Sequence, residues 1–131
     1  MNATGGNKAQ KPCRVAVASK GDSIESAVGS IGTSAYFIIF EGGPDRYSAV
    51  KNVAKGRGGN AGMQAAEFLE TKGIDVIIAG TMGNRGYRAF DEAGVAVHAG
   101  CSGTVKECIR KCLSGELPRC NGAAYSGNME L

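Results

Sequence analysis

The sequence predicts an α/β domain built on a mixed sheet of five strands. Three observations carry this. Beyond residue 74 the chain alternates strand, helix, strand, helix with short loops, a pattern whose crossovers imply parallel strands. Upstream, the apolar run 35–41 turns through Gly42-Gly43-Pro44-Asp45 into a second β-rich run at 46–53, an antiparallel pair. The chain has 131 residues and 43% hydrophobic content, enough for one domain with one core.

Residues 1–11 offer little to bury and are expected to be a flexible leader. The run 13–19 is bounded by Pro12 and Gly21. Its small residues suit a central strand packed on both faces. Residues 20–34 make a long connection with one candidate turn of helix at 23–28, and connections this long are usually functional. The run 35–41 is the clearest strand, and 46–53 reads as an edge strand beside it. Residues 55–60 form a basic glycine-rich loop, and Asn60 is placed to cap the helix that follows. Met63, Ala66, Phe68 and Leu69 mark its apolar side, and Gly73 stops it. A strand at 74–79, a helix at 85–93 ended by Gly94, a strand at 95–98 and a helix at 104–113 complete the order. Residues 118–131 are expected to be a flexible tail, leaving 12–117 as the domain.

The composition excludes several classes. No apolar run approaches the roughly 20 residues that span a bilayer, so no membrane partner is expected. The N-terminal stretch lacks an apolar h-region, which predicts a cytoplasmic location. A net charge of +3 suits an anionic ligand but is too small and dispersed for nucleic acid. The five cysteines are odd in number and in a reducing setting, which argues against a disulfide framework.

If the first, third, fourth and fifth strands run parallel, their carboxyl ends share one edge, where open α/β sheets bind ligands. The loops leaving that edge carry Lys20, Lys55, Arg57, Arg85, His98 and Cys101 among many glycines. The stretch Gly80-Thr81-Met82-Gly83-Asn84-Arg85-Gly86 joins a buried strand to a helix. It reads either as an anion-binding turn with backbone N–H groups and Arg85 and Arg88, or as a tight connection in which glycine only permits the backbone angles. Val105, Cys108, Ile109, Cys112 and Leu113 repeat at helical spacing, so Cys108 and Cys112 read first as core, with a ligand role as the alternative. Cys101 stands in a loop just before a helix, where a thiolate is favoured. The one histidine, His98, suits a metal ligand or a loop hydrogen bond equally. Met82, inside the glycine turn, is a better soft-sulfur candidate than Met63, which falls on the apolar helix side. There is no paired-carboxylate, Cys-His or Ser-His pattern in local order, so binding without turnover is expected.

Several motifs together are familiar. They are Ile74-Asp75-Val76-Ile77-Ile78-Ala79-Gly80, Met82-Gly83-Asn84-Arg85, Ala93-Gly94-Val95-Ala96-Val97, Gly103-Thr104-Val105 and Gly115-Glu116-Leu117. Val15-Ala16-Val17-Ala18, Ile31-Gly32 and Gly58-Gly59-Asn60-Ala61-Gly62 add to them in the first half. In order and spacing the chain resembles the dinitrogenase iron–molybdenum cofactor biosynthesis family, which includes NifX, the cluster-binding part of NafY and the C-terminal domain of NifB. The resemblance implies a ribonuclease H-like three-layer fold with helices on both faces of the sheet, without nuclease catalysis. It implies carriage of an anionic metal–sulfur cluster or its precursor, containing iron, molybdenum, or molybdenum and copper as in one branch from sulfate-reducing bacteria. Cluster donor and acceptor proteins are the partners it implies. Carried over by position, it puts Arg57, Gly58, Gly59, Asn60, Thr81, Met82, Gly83 and Arg85 at the site. Cys101, His98 and Met82 are the candidates for direct metal contact.

Two departures shape the expectation. Many members have His-Phe-Gly where this chain has Ser30-Ile31-Gly32, and a proline after Met-Gly where it has Asn84. With histidine absent there, a cradle of ion pairs and hydrogen bonds for an assembled sulfide anion is favoured over direct iron ligation. The alternative is a small regulatory or interaction module that binds an anionic metabolite or a partner protein at the same edge.

Overall fold

The structure is a computed structural model and describes residues 13–56 and 60–114. The expected leader and tail, with Cys120, lie outside the described residues, as do Arg57, Gly58 and Gly59.

The central strand is β1 (Arg14–Ser19). Its register is antiparallel with β2 (Tyr36–Glu41) and parallel with β4 (Val76–Ile78). Strand β3 (Tyr47–Lys51) pairs antiparallel with β2 at one edge, and β5 (Ala96–His98) pairs parallel with β4 at the other. The order is therefore β3-β2-β1-β4-β5, with β2 alone reversed. The sequence expectation for strand directions holds, and β3 is the exposed edge.

Alternation along β1 explains the three layers. Ala16 and Ala18 face one side, with Phe37, Ile39, Ile77 and Val97. Helices α1 (Ala61–Thr71) and α2 (Asn84–Glu92) cover that side through Ala65, Leu69 and Phe90. Val15 and Val17 face the other side, where α3 (Val105–Leu113) packs Val105, Cys108 and Ile109 against Ile38, Phe40 and Ile78. A strand buried on both faces needs small or branched apolar residues throughout, as Val15–Ala18 supply. This is the ribonuclease H-like mixed sheet that the resemblance implied.

Three local expectations are corrected. Residues 23–28 form no helix. The Ser23 hydroxyl accepts from Glu25 N at 3.0 Å, and Ala27 and Val28 then bridge to Thr104 and Ser19. Serine hydroxyls compete with helical hydrogen bonding in this way. Asn60 does occupy the cap position of α1, but its side chain makes no cap hydrogen bond because its backbone is already helical (φ −95°, ψ 0°). Met63 is 43% exposed rather than core. The buried stripe is Ala61, Ala65, Ala66 and Leu69, and Met63 lies off it, lining an outer groove of about 260 Å³ between α1 and α2.

Helix α3 starts in a capping box. Glu107 N donates to Thr104 Oγ1 at 3.1 Å, and Thr104 N donates to Glu107 Oε1 at 2.9 Å. The Thr104 backbone N–H holds the Glu107 carboxyl below the ordinary glutamate range, with help from Lys111 and Arg110. A lowered folded-state pKa means that the charged form stabilises the fold above the unfolded pKa. That contribution is lost as pH falls through the folded value. The melting-temperature gap between wild type and Glu107→Gln is therefore expected to be widest near neutral pH and to close in acid. A gap independent of pH would show that the carboxylate charge plays no part.

Candidate functional site

The carboxyl ends of β1, β3, β4 and β5 lie at one edge, and the loops leaving it are joined by backbone hydrogen bonds. Gly29 N donates to Ala18 O, Gly80 N to Gly29 O, and Gly100 N to Gly80 O, all at 2.9–3.0 Å. This ladder of three glycines extends the sheet past its last strand residues. A Cβ at Gly80 would stand 3.3 Å from Cys101 O and 3.5 Å from Gly29 O, a snug fit that a small shift of the Cys101 carbonyl would relieve.

Three segments converge on the α1–α2 side of this edge. Ile31 N donates to Thr81 O at 3.3 Å, joining 30–32 to the turn after β4. Gly32 lies against Ala61, 3.7 Å from a Cβ placed on it to the Ala61 Cβ. Gly62 and Gly86, in the first turns of α1 and α2, are in backbone contact. A Cβ on Gly62 would overlap Gly86 Cα and stand 2.9 Å from Gly86 N. The two helix N-termini are thus held side by side.

The helix ends differ in chemistry. Thr104 and Glu107 close α3. The N-caps of α1 and α2, Asn60 and Gly83, make no side-chain cap bond, and neither first turn carries an acid. Such ends present backbone N–H groups and the positive pole of the helix dipole. Thr81, Gly83, Asn84 and Arg85 are exposed around them. Lys20 lies across the neighbouring loop with its aliphatic stem against Gly29.

Asn52 holds the mouth together and was not singled out in the sequence. It is 6% exposed. Its Nδ2 donates to Ile31 O at 2.8 Å and Ser34 O at 2.9 Å, and its Oδ1 accepts from Ala54 N at 2.9 Å. Replacing it by alanine strands two carbonyls and an N–H, and is expected to cost about 1–3 kcal/mol. Urea unfolding of Asn52→Ala measures this; a midpoint equal to that of wild type would contradict it.

The sequence-predicted residues divide between two sides. Asn60, Thr81, Gly83 and Arg85 come together at the mouth. Met82 is at the mouth in sequence, but it is 5% exposed and its side chain belongs to the core beneath α2, beside Gly86. It forms part of the floor, its Cγ and Sδ lying 3.1 and 3.7 Å from a Cβ placed on Gly86. Cys101 packs on the α3 side, with its Sγ donating to His98 O at 3.6 Å. His98 pairs with Ile78 in the register, which puts it on that side of the sheet as well. Cys108 is core, as read first, and Cys112 packs partly buried against the same cluster. Burial raises the pKa of Cys108, Cys112 and Cys13, so these remain thiols near neutral pH. Among the described residues no three His, Cys, Asp or Glu side chains gather to hold a metal ion.

The site-forming glycines had a signal in the sequence. Glycine inside a helix costs about 1 kcal/mol against alanine, so Gly62 and Gly86 call for a packing reason.

The profile of the family described as dinitrogenase iron-molybdenum cofactor matches residues 11–115. Among solved structures, the apo form of the orange protein from Desulfovibrio gigas is similar, with 26% identity, a TM-score of 0.78, and coverage of 83% of this chain and 93% of that one. A Thermotoga protein provisionally assigned as NifB has 30% identity and a TM-score of 0.70, covering 82% and 92% respectively. A Methanocaldococcus jannaschii protein provisionally assigned as a dinitrogenase shares the fold at 15% identity and a TM-score of 0.61, covering 86% and 97%. No curated protein matches the chain.

Proposed function

Because this chain belongs to the dinitrogenase iron–molybdenum cofactor family, we propose that it binds an anionic metal–sulfur cluster, or a precursor of one, as cargo and without turnover. One observation carries the reading: two helix N-termini whose N-cap residues make no side-chain cap bond and whose first turns carry no acid, held side by side at the Gly62–Gly86 crossing. Oriented N–H groups and a guanidinium suit the sulfides of an assembled anion. A hard cation needing three or more side-chain ligands finds no such group among the described residues.

In this reading the backbone N–H groups at 83–85 and at the start of α1 donate to sulfide. Arg85 neutralises charge, and Arg57, Gly58 and Gly59, which precede α1 in the sequence, are assigned to the same cargo. Iron, molybdenum and molybdenum–copper sulfides all satisfy this chemistry. The protein works as a carrier between cluster donor and acceptor proteins in the cytoplasm.

The test is anaerobic purification from the native host with a visible spectrum and metal analysis. Charge-transfer bands with stoichiometric molybdenum, copper or iron are expected. A colourless, metal-free protein that also ignores added thiomolybdate and iron sulfide would overturn the reading. Uptake of a phosphate ester by that protein would assign the same edge to an anionic metabolite.

A further inference from the structure

The loop after β5 and the second turn of α3 bring two thiols together on the side of the sheet away from α1 and α2. Cys101 Sγ donates to His98 O at 3.6 Å and Cys108 Sγ to Ser102 O at 3.3 Å. The Cys101 side chain is also close enough to act on the Cys108 thiol. The loop is shaped for this meeting. Gly100 (φ 82°) and Gly103 (φ 97°) both adopt the left-handed region, and they turn the chain back on either side of Cys101 and Ser102. Cys108 is 1% exposed, inside the cluster of Val15, Ile78, Val105 and Ile109, whereas Cys101 is half-buried at its border.

We propose that Cys101 and Cys108 form a two-coordinate site for a soft, monovalent d10 cation of the cuprous class, separate from the mouth between α1 and α2. Thiolate sulfur in apolar surroundings selects soft cations, and a cuprous ion is satisfied by two such ligands. Zinc in a closed structural site needs four ligands, and no third His, Cys, Asp or Glu completes a group among the described residues. Binding replaces both S–H bonds by S–Cu bonds and releases two protons to solvent, with copper unchanged in oxidation state. The bis-thiolate complex carries one negative charge; burial and Glu107 oppose charge on Cys108, and Lys111 on α3 favours it. Cys101 supplies the way in and Cys108 the buried anchor.

The inference stands on the thiol pair and not on the cluster reading, and its test uses no sulfide or molybdenum. Reduced protein carrying Cys13→Ser, Cys112→Ser and Cys120→Ser keeps only the pair. Titrated with Cu(I) held by bicinchoninate, it is expected to take one copper per chain and to gain near-ultraviolet thiolate-to-copper absorption. Adding Cys101→Ser should lower the transfer at least about tenfold while the circular dichroism stays unchanged. A folded background that leaves copper on the chelator overturns the proposal, as does equal uptake after Cys101→Ser. Should the background fail to fold, wild type against Cys101→Ser alone decides: a loss of one copper supports the site and equal stoichiometry overturns it. Copper uptake without thiomolybdate uptake counts against the cluster reading only.

Discussion

Gly62→Val is expected to cost about 4 kcal/mol or more, enough to unfold a domain of ordinary stability. Backbone packs against backbone where α1 crosses α2. A Cβ on Gly62 meets the Cα and N of Gly86, atoms that no rotamer change can move. Relief comes only from parting the helices, which opens the core around Ala65, Leu69 and Phe90. The gain in helix propensity from replacing glycine is about 1 kcal/mol at most and does not offset this. Gly43→Ala is the control, since nothing lies within 4 Å of an added Cβ there. It should shift stability by no more than about 0.5 kcal/mol. Thermal or urea unfolding of both variants is the measurement. A Gly62→Val protein as stable as wild type would mean that the helix N-termini are not in contact, and the geometry of the mouth would fall with that contact.

Arg85→Ala is expected to weaken cluster retention on the order of tenfold to a hundredfold, the range of one lost charge-assisted hydrogen bond. The side chain is exposed in the first turn of α2, so its removal leaves no hole in the core. Helix stability should change little, because a cation near a helix N-terminus is mildly unfavourable to begin with. Reconstitution with thiomolybdate or iron sulfide, followed by dialysis and metal analysis, reads the effect. Arg85→Lys should keep part of the retention through charge and lose the forked geometry. Unchanged retention in Arg85→Ala would leave the cradle without its cation.

Much of the architecture was legible because hydrophobic period and glycine punctuation carry it. The run Val15–Ala18 reads as a strand buried on both faces, and Gly73 and Gly94, both at positive φ, end α1 and α2 where expected. The shared edge followed from strand directions alone. What was not legible depends on the helical face a residue occupies in three dimensions. Met63 and Met82 exchanged environments, because the burial stripe of α1 runs through Ala61, Ala65 and Leu69, two positions off Met63, and Met82 turns inward ahead of α2. Cys101 shares the edge with Arg85 but points to the other side of the sheet, a distinction that chain order cannot make. Asn52 looks like any loop asparagine until its side chain is seen to tie the 31–34 segment to its own loop at Ala54.

The ladder of Gly29, Gly80 and Gly100 bears on how cargo would be exchanged. Loops that must order themselves around a ligand spend part of the binding energy on lost conformational entropy, and they release slowly because release reverses that ordering. Here the segments at Gly29, Gly80 and Gly100 are already tied to the sheet by main-chain hydrogen bonds, so that part of the rim adds little ordering cost to binding. A receiving protein that supplies stronger ligands would then have mainly the direct contacts to outcompete, and transfer could proceed with that part of the donor's fold undisturbed.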